Sequence, residues 1–142
     1  MNKPLLFLGA TVLALAPVFG AYAHPPSPVA KAPPTEPYKE VSSLVKLPSF
    51  IPGMGQLFVD PKTLPAGPFL AYDHDGKLVS TIYMIPLAQM TPQMHLDDLL
   101  APGGQVDHVD MMYNAGHPGV AEPHIHVVMW HVPVSDEARV AK

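Results

Sequence analysis

The sequence predicts a mostly β protein, a small antiparallel sandwich or barrel with one short helix. The 19 prolines among 142 residues disfavour long helices, because proline lacks the amide hydrogen that a helix interior needs. Short runs rich in β-branched and aromatic residues alternate with Gly, Pro, Asn and Asp, as is typical of antiparallel sheets. The length corresponds to one domain, which we place at residues 41–134.

The clearest local element is a hairpin in the middle of the chain. The strand Phe69–Tyr72 is followed by the turn Asp73-His74-Asp75-Gly76 and by the strand-like run Lys77–Ile85. An Asp-Gly pair favours a tight hairpin turn. Further along, Thr91-Pro92 has the pattern of a helix N-cap followed by proline at the first helical position. This pattern predicts the short helix over Gln93–Leu100.

Two more strands are predicted near the C-terminus, at Val106–Tyr113 and His124–Val132. The loop Asn114–Pro123 that joins them is rich in turn-forming residues. Consecutive strands with such a connection most simply form an antiparallel pair.

Both ends of the chain are expected to lie outside the folded domain. Residues 1–23 have the features of a cleavable secretory signal peptide: a positive charge at Lys3, an apolar run, and small residues ending in Ala21-Tyr22-Ala23. Residues 24–40 are proline-rich and are expected to be extended and disordered. Residues 135–142 are expected to form a polar tail. The predicted location is the periplasm or the exterior of the cell.

Composition excludes several classes of partner. The chain has 8 Lys and Arg against 12 Asp and Glu, a formal net charge of -4, which argues against binding to nucleic acid. After cleavage of the leader, no apolar segment is long enough to span a membrane. The absence of cysteine excludes disulfides and thiolate metal sites.

Histidine is the informative residue type, since five of the eight histidines fall within residues 108–131. Alternate residues of a strand share a face, so His124 and His126 project together, as do His108 and Asp110 on the neighbouring strand. His117, from the loop, is expected to reach the same face. Converging imidazoles and a carboxylate suit a divalent transition metal, Zn or Cu above all. The predicted metal ligands are therefore His108, Asp110, His117, His124 and His126.

Several neighbouring residues have two interpretations. Asp107, Asp110 and Glu122 are candidates to orient imidazole N–H groups. Glu122 is alternatively a candidate general base beside a metal-bound water. Four methionines are either core residues or soft ligands for Cu(I), namely Met84, Met111, Met112 and Met129. His74, His95 and His131 are expected to have no part in the site.

One pattern in the last third of the chain resembles a known family. It runs through Asp107-His108, Tyr113-Asn114, Gly116-His117-Pro118-Gly119 and Pro123-His124-Ile125-His126. It is similar to a family of small exported bacterial proteins, a domain of unknown function, with the pattern D-H-x-x-x-x-[WY]-N, then G-H and P-G, then P-H-[FI]-D-x-H-F-Y. The resemblance covers roughly residues 55–132.

The resemblance implies that His108, His117 and His124 belong to a shared site, and it implies no activity. This sequence has His126 where the family has aspartate, and Val128 where the family has a second strand histidine. The ligand set in this chain is therefore expected to be rearranged.

Three functions are consistent with these features. The first is an exported metal-binding protein that serves storage, delivery or sensing. The second is a small-barrel enzyme that uses the same histidines around a metal with an open coordination position. The third is an envelope protein that forms a homo-oligomer or binds a partner and whose histidines respond to acid.

Overall fold

A computed structural model describes residues 27–142, so the predicted signal peptide lies outside the described residues. The described chain forms one antiparallel sheet of six strands, in the order β1, β2, β3, β4, β6, β5. The strands are β1 (Lys39–Glu40), β2 (Gln56–Val59), β3 (Phe69–Tyr72), β4 (Leu78–Pro86), β5 (His108–Asn114) and β6 (His124–Trp130). The mostly β, antiparallel class is confirmed. The sheet is not closed, which fits an open barrel or a sandwich completed by loops.

Both predicted strand pairs are present. β3 pairs with β4, with Phe69 opposite Ile82, and the turn between them contains Gly76 at a positive φ of 69°. β5 pairs with β6 along their whole length. β6 also pairs with β4, so β6 lies inside the sheet and β5 forms one of its edges.

The helix predicted over Gln93–Leu100 is not formed. The segment is held by tertiary contacts: Met94 and Leu99 pack against a buried cluster that contains Tyr83, and the Tyr83 hydroxyl donates a hydrogen bond to the Leu100 carbonyl at 2.8 Å. A helix of two turns has little stability of its own, so these contacts decide the conformation.

Helical structure occurs elsewhere as short 3₁₀ helices. In the described part of the chain they are Val41–Ser43, Pro61–Thr63, Leu87–Gln89 and Val134–Val140. Within residues 27–142, none of the helices has the length and apolar character needed to cross a membrane.

Each face of the sheet is covered by irregular segments. We call the face that carries Ile82, Met84 and Val128 the front face; it packs against residues 41–54 and the C-terminal Val140. The opposite face, which carries Tyr83, Ile85 and Val127, packs against residues 94–99 over β4 and β6. Strand alternation thus gives two apolar faces, each with its own loop layer.

The proline-rich segment expected to be disordered is ordered from residue 27 onwards. Val29 is buried, its carbonyl accepts a hydrogen bond of 2.8 Å from the Tyr72 hydroxyl, and Lys31 forms a β-bridge with Lys77. The prediction was wrong for these residues because apolar side chains between the prolines bury against the sheet, and the non-proline amides remain free to pair.

The prediction of a polar tail over residues 135–142 is also wrong for the last turn. Val140 is 1% exposed and belongs to the main core. Beside it, Arg139 forms an ion pair with Asp73, its Nε donating to Oδ2 at 2.8 Å. Asp73 is buried, and its other oxygen accepts from the amides of Asp75 and Lys77. The C-terminus is thereby attached to the turn between β3 and β4.

Backbone hydrogen bonds and the ion pair together determine the protonation of Asp73. Burial by itself would raise the pKa of Asp73, but the hydrogen bond from the Lys77 amide and the guanidinium of Arg139 together hold that pKa below its usual value. The carboxylate is therefore charged at neutral pH and requires its partners.

We predict that Arg139→Ala lowers the free energy of unfolding by about 2 kcal/mol, because it leaves a buried carboxylate without its cation. Urea denaturation measures the change. Lys39→Ala is the matched control: it removes the exposed Lys39–Glu36 ion pair and should cost less than about 0.5 kcal/mol. Equal losses in the two variants would contradict the role assigned to Arg139.

Candidate metal centre

Two histidines lie side by side at the start of β6. His124 and His126 share the front face, and they are 0% and 2% exposed. The register places His126 between Met84 of β4 and Met112 of β5. Burial on both sides follows from the position of β6 inside the sheet.

A third histidine reaches this pair from the loop between β5 and β6. The loop is closed by hydrogen bonds in both directions between the backbones of His117 and Val120, at 2.9 and 3.0 Å. Gly116 has a φ of 123°, and a Cβ there would lie 2.4 Å from the Ala121 carbonyl oxygen. Only glycine fits at that position, and the resulting turn carries His117 over the sheet.

The three imidazoles form a compact group. His124 Nε2 and His126 Nε2 are 2.9 Å apart, and the His117 ring centroid lies 4.9 Å from that of His124 and 5.7 Å from that of His126. One nitrogen from each ring lies within 4.8 Å of the others. Nitrogen ligands of tetrahedral Zn²⁺, with bonds of about 2.0 Å, lie about 3.3 Å apart. The nitrogen separations in the group, from 2.9 Å up to 4.8 Å, bracket that spacing.

Backbone carbonyls orient two of the rings. His124 Nδ1 lies 2.7 Å from the Glu122 carbonyl oxygen, and His117 Nδ1 lies 3.0 Å from the Pro118 carbonyl oxygen. A carbonyl only accepts, so each Nδ1 must carry the proton. In the neutral imidazole each Nε2 is then left with a lone pair, the arrangement usual for metal-binding histidines.

Burial also favours the unprotonated form of His126. Burial, with further contributions from His124 and His117, lowers the pKa of His126 from 6.5 to about 4. At neutral pH this side chain is uncharged, so one of its two ring nitrogens carries a lone pair.

Two of the five predicted ligands do not join this group. β5 and β6 pair with His124 opposite Asn114 and His126 opposite Met112, whereas His108 lies opposite Trp130. All of these residues share the front face, but four residues of strand separate His108 from Met112, a distance of about 13 Å. Since the hairpin register was unknown, the sequence could predict the shared face but not this displacement.

His108 and Asp110 instead form a second polar group with Glu137. His108 Nδ1 lies 2.9 Å from Asp107 and Nε2 lies 3.1 Å from Glu137. The Asp107 hydrogen bond raises the pKa of His108, and Glu137 raises it further against partial burial. Asp110 accepts a hydrogen bond from the Trp130 indole at 2.9 Å. These contacts describe an imidazolium between carboxylates.

The remaining candidates lie apart from the three histidines. Glu122 has an exposed side chain and contributes only its carbonyl, through the bond to His124. His131 bonds to Thr81 and to the Gln105 carbonyl, and His74 and His95 are exposed. Glu137, which the sequence did not single out, is 29 residues from the His108 that it contacts.

The methionines divide between the two faces. Met84 and Met112 flank His126 on the front face, while Met111 and Met129 belong to the alternate positions of their strands. Cross-strand neighbours have Cβ atoms about 5 Å apart, so the side chains of Met84 and Met112 begin beside that of His126. Met84 also belongs to the apolar core.

A large cavity adjoins the histidines on the front face. It has a volume of about 490 Å³ and lies between the sheet and the segments around residues 41–54 and 113–120. His117 and His126 line it, together with apolar residues such as Leu57, Val59 and Phe69. A metal held by these histidines would therefore border an apolar space.

These features define a class: a small antiparallel-sheet protein with a three-histidine group, two of its members buried, that could hold a metal ion. The family of hypothetical proteins described as TTHB210-like matches residues 73–113. The crystal structure of hypothetical protein TTHB210 from Thermus thermophilus is 43% identical over 67% of this chain and 87% of that chain, with a TM-score of 0.56. The chain belongs to the TTHB210-like family. No curated protein matches it.

The family has no assigned activity in its description, so the resemblance to a family of unknown function is confirmed in that respect. Of the three histidines that the resemblance assigned to one site, the structure brings His117 and His124 together and leaves His108 apart. His126, at the position where the pattern has aspartate, completes the group.

We predict that the metal-free protein becomes less stable as the pH falls from 7 to 5. His126 titrates near its usual value of 6.5 in the unfolded chain and at about 4 in the folded one, so the unfolded state takes up the proton first. The free energy of unfolding should fall by about 2 kcal/mol over this range from His126 alone. Urea denaturation in the presence of a chelator measures it. In His126→Gln this component should disappear, and an unchanged pH slope in that variant would refute the assignment.

Proposed function

We propose that this protein is an exported metal-binding protein and that His117, His124 and His126 are the ligands of a transition metal ion. The observation that carries the proposal is the convergence of three imidazole nitrogens within 4.8 Å, two of them buried on one face of β6. Three histidines with a further position for water or another ligand are a common zinc arrangement. The physiological role is storage, delivery or sensing of the ion.

The surroundings of the three histidines support this role. Three buried or half-buried imidazoles repel one another when protonated, and the Nδ1 atoms of His117 and His124 contact backbone carbonyls, which carry no compensating full charge. A divalent cation replaces this repulsion with three nitrogen bonds. Zn or Cu is the preferred ion, because imidazole suits both and the neighbouring Met84 and Met112 thioethers add soft ligands for copper.

Export is supported by the sequence of residues 1–23, which has the charge, apolar run and Ala-x-Ala ending of a signal peptide. The site has no cysteine, and the whole chain lacks it. Nitrogen ligands do not form disulfides in an oxidising compartment. The composition of the site therefore agrees with a periplasmic or secreted location.

A metal-dependent enzyme is the second candidate, and the cavity beside His117 and His126 is the observation that favours it. The groups proposed to transfer protons are less well placed. The Glu122 side chain is exposed, Asp110 is bonded to Trp130, and within residues 27–142 the cavity is lined by no carboxylate. Binding of the ion therefore ranks above catalysis.

We expect the purified protein to bind one Zn²⁺ ion per chain, measured by elemental analysis and by competition with a chromophoric chelator. His117→Ala and the double variant His124→Ala/His126→Ala should each weaken binding by more than about a hundredfold, since even outer partners of a metal site are worth tenfold or more. Circular dichroism checks that the variants fold.

The matched controls are His95→Ala, which changes an exposed histidine, and His108→Ala, which changes the second polar group. Both should bind Zn²⁺ as the unaltered protein does. Loss of binding in His108→Ala with retention in the double variant would move the site to the second group and overturn the proposal.

We further predict that Met84→Leu/Met112→Leu lowers the affinity for Cu(I) about tenfold and leaves Zn²⁺ affinity within about twofold, because thioethers are ligands for soft ions. Leucine conserves the side-chain volume. Met111→Leu/Met129→Leu changes the alternate positions and is the control. Equal Cu(I) affinities in the two double variants would show that the methionines serve only as core residues.

A further inference from the structure

The cavity on the front face is large enough to receive a small molecule. Its volume of about 490 Å³ falls within the range of about 300–1,000 Å³ that is usual for ligand pockets. Its inner walls are buried core residues of β2, β3 and β4, such as Val59, Phe69 and Ile82.

The mouth of the cavity is marked by exposed apolar side chains. Leu44 and Leu64 are 40% and 43% exposed, and Met112 and Tyr113 are exposed as well; all four line the cavity. Clustered apolar exposure of this kind is typical of a binding opening rather than of ordinary surface.

Polarity is confined to one part of the wall. The polar lining residues are Tyr113, Asn114, His117 and His126, and the other lining residues are apolar or glycine. Asn114 ends β5, His117 follows three residues later, and His126 pairs with Met112. The polar groups therefore lie together, at the proposed metal.

Among the described residues, none that lines the cavity is Lys, Arg, Asp or Glu. An anionic group in this space would meet no cation from that part of the chain, and its desolvation would be unfavourable without one. A metal ion held by the histidines would supply the missing positive charge. His124 does not line the cavity, so the ion would be enclosed on that side and accessible on the other.

We infer that the cavity binds an amphipathic small molecule with a single metal-coordinating head, such as a straight-chain carboxylate, whose head binds the ion held by His117, His124 and His126 and whose apolar body fills the space between the sheet and residues 41–54. This inference rests on the proposed function. It adds a ligand class to the site: molecules with one anionic oxygen donor and an apolar tail.

The experiment titrates hexanoate, octanoate and decanoate into the Zn²⁺-loaded protein, with calorimetry as the readout. Affinity should rise about fourfold with each added methylene, the value expected for burial of one such group, until the cavity is filled. With Co²⁺ in place of Zn²⁺, each carboxylate should alter the visible absorption bands of the ion, because its head enters the coordination sphere.

Two variants locate the binding. Leu44→Asp places a charge at the mouth and should weaken decanoate binding at least tenfold while Zn²⁺ binding is unchanged. Leu87→Asp is the matched control, since Leu87 is 37% exposed and does not line the cavity; it should bind decanoate normally. Val59→Phe, which fills the inner wall, should shorten the longest chain that still gains affinity.

The outcomes separate the two proposals. Normal Zn²⁺ binding without chain-length dependence, or with an unchanged Co²⁺ spectrum, overturns the ligand inference and leaves the metal site standing. Chain-length-dependent binding that is equally strong without a metal overturns the role of the ion in holding the head. Failure to bind any metal overturns both proposals.

Discussion

The site depends on the register in which β6 pairs with its two neighbours. β6 lies between β4 and β5, so every side chain on it has neighbours on both sides. The register places His126 between Met84 and Met112. A slip of one residue would turn His124 and His126 to the opposite face. The pairing therefore determines which histidines meet, how deeply they are buried and which space they border.

The chemistry of the three histidines follows from that placement. Burial and mutual repulsion keep His126 neutral, since its pKa is lowered to about 4. The carbonyls of Glu122 and Pro118 fix the protons of His124 and His117 on Nδ1. His108 has the same residue type and the opposite tendency, because carboxylates surround it and raise its pKa. The environments of His126 and His108 thus favour opposite protonation states of the same type of side chain.

The loops contribute as much to the site as the strands do. The glycine-dependent turn at Gly116 carries His117 over the sheet, and residues 41–54 form the opposite wall of the cavity. The ion pair between Arg139 and Asp73 holds the C-terminus against the same core. The sheet alone would present His124 and His126 on an open apolar face. The covering segments enclose a cavity over that face, and the loop between β5 and β6 adds His117.

The sequence by itself determined the mostly β class, the hairpin of Phe69–Tyr72 with its Asp-Gly turn, the antiparallel pairing of β5 with β6, and the shared face of His124 and His126. These features are local, because they depend on residue type, turn chemistry and the two-residue repeat of a strand. The sequence also predicted that His117 reaches this face. Only the tertiary structure decided that His108 lies apart from these histidines and contacts Glu137, since this depends on register and on a contact between distant residues. Packing also determined that residues 93–100 form no helix and that Val29 and Val140 are buried. The local sequence favours a helix at residues 93–100, and an unpacked segment around Val29 and Val140, only weakly. The free energy of apolar burial against the sheet outweighs that preference.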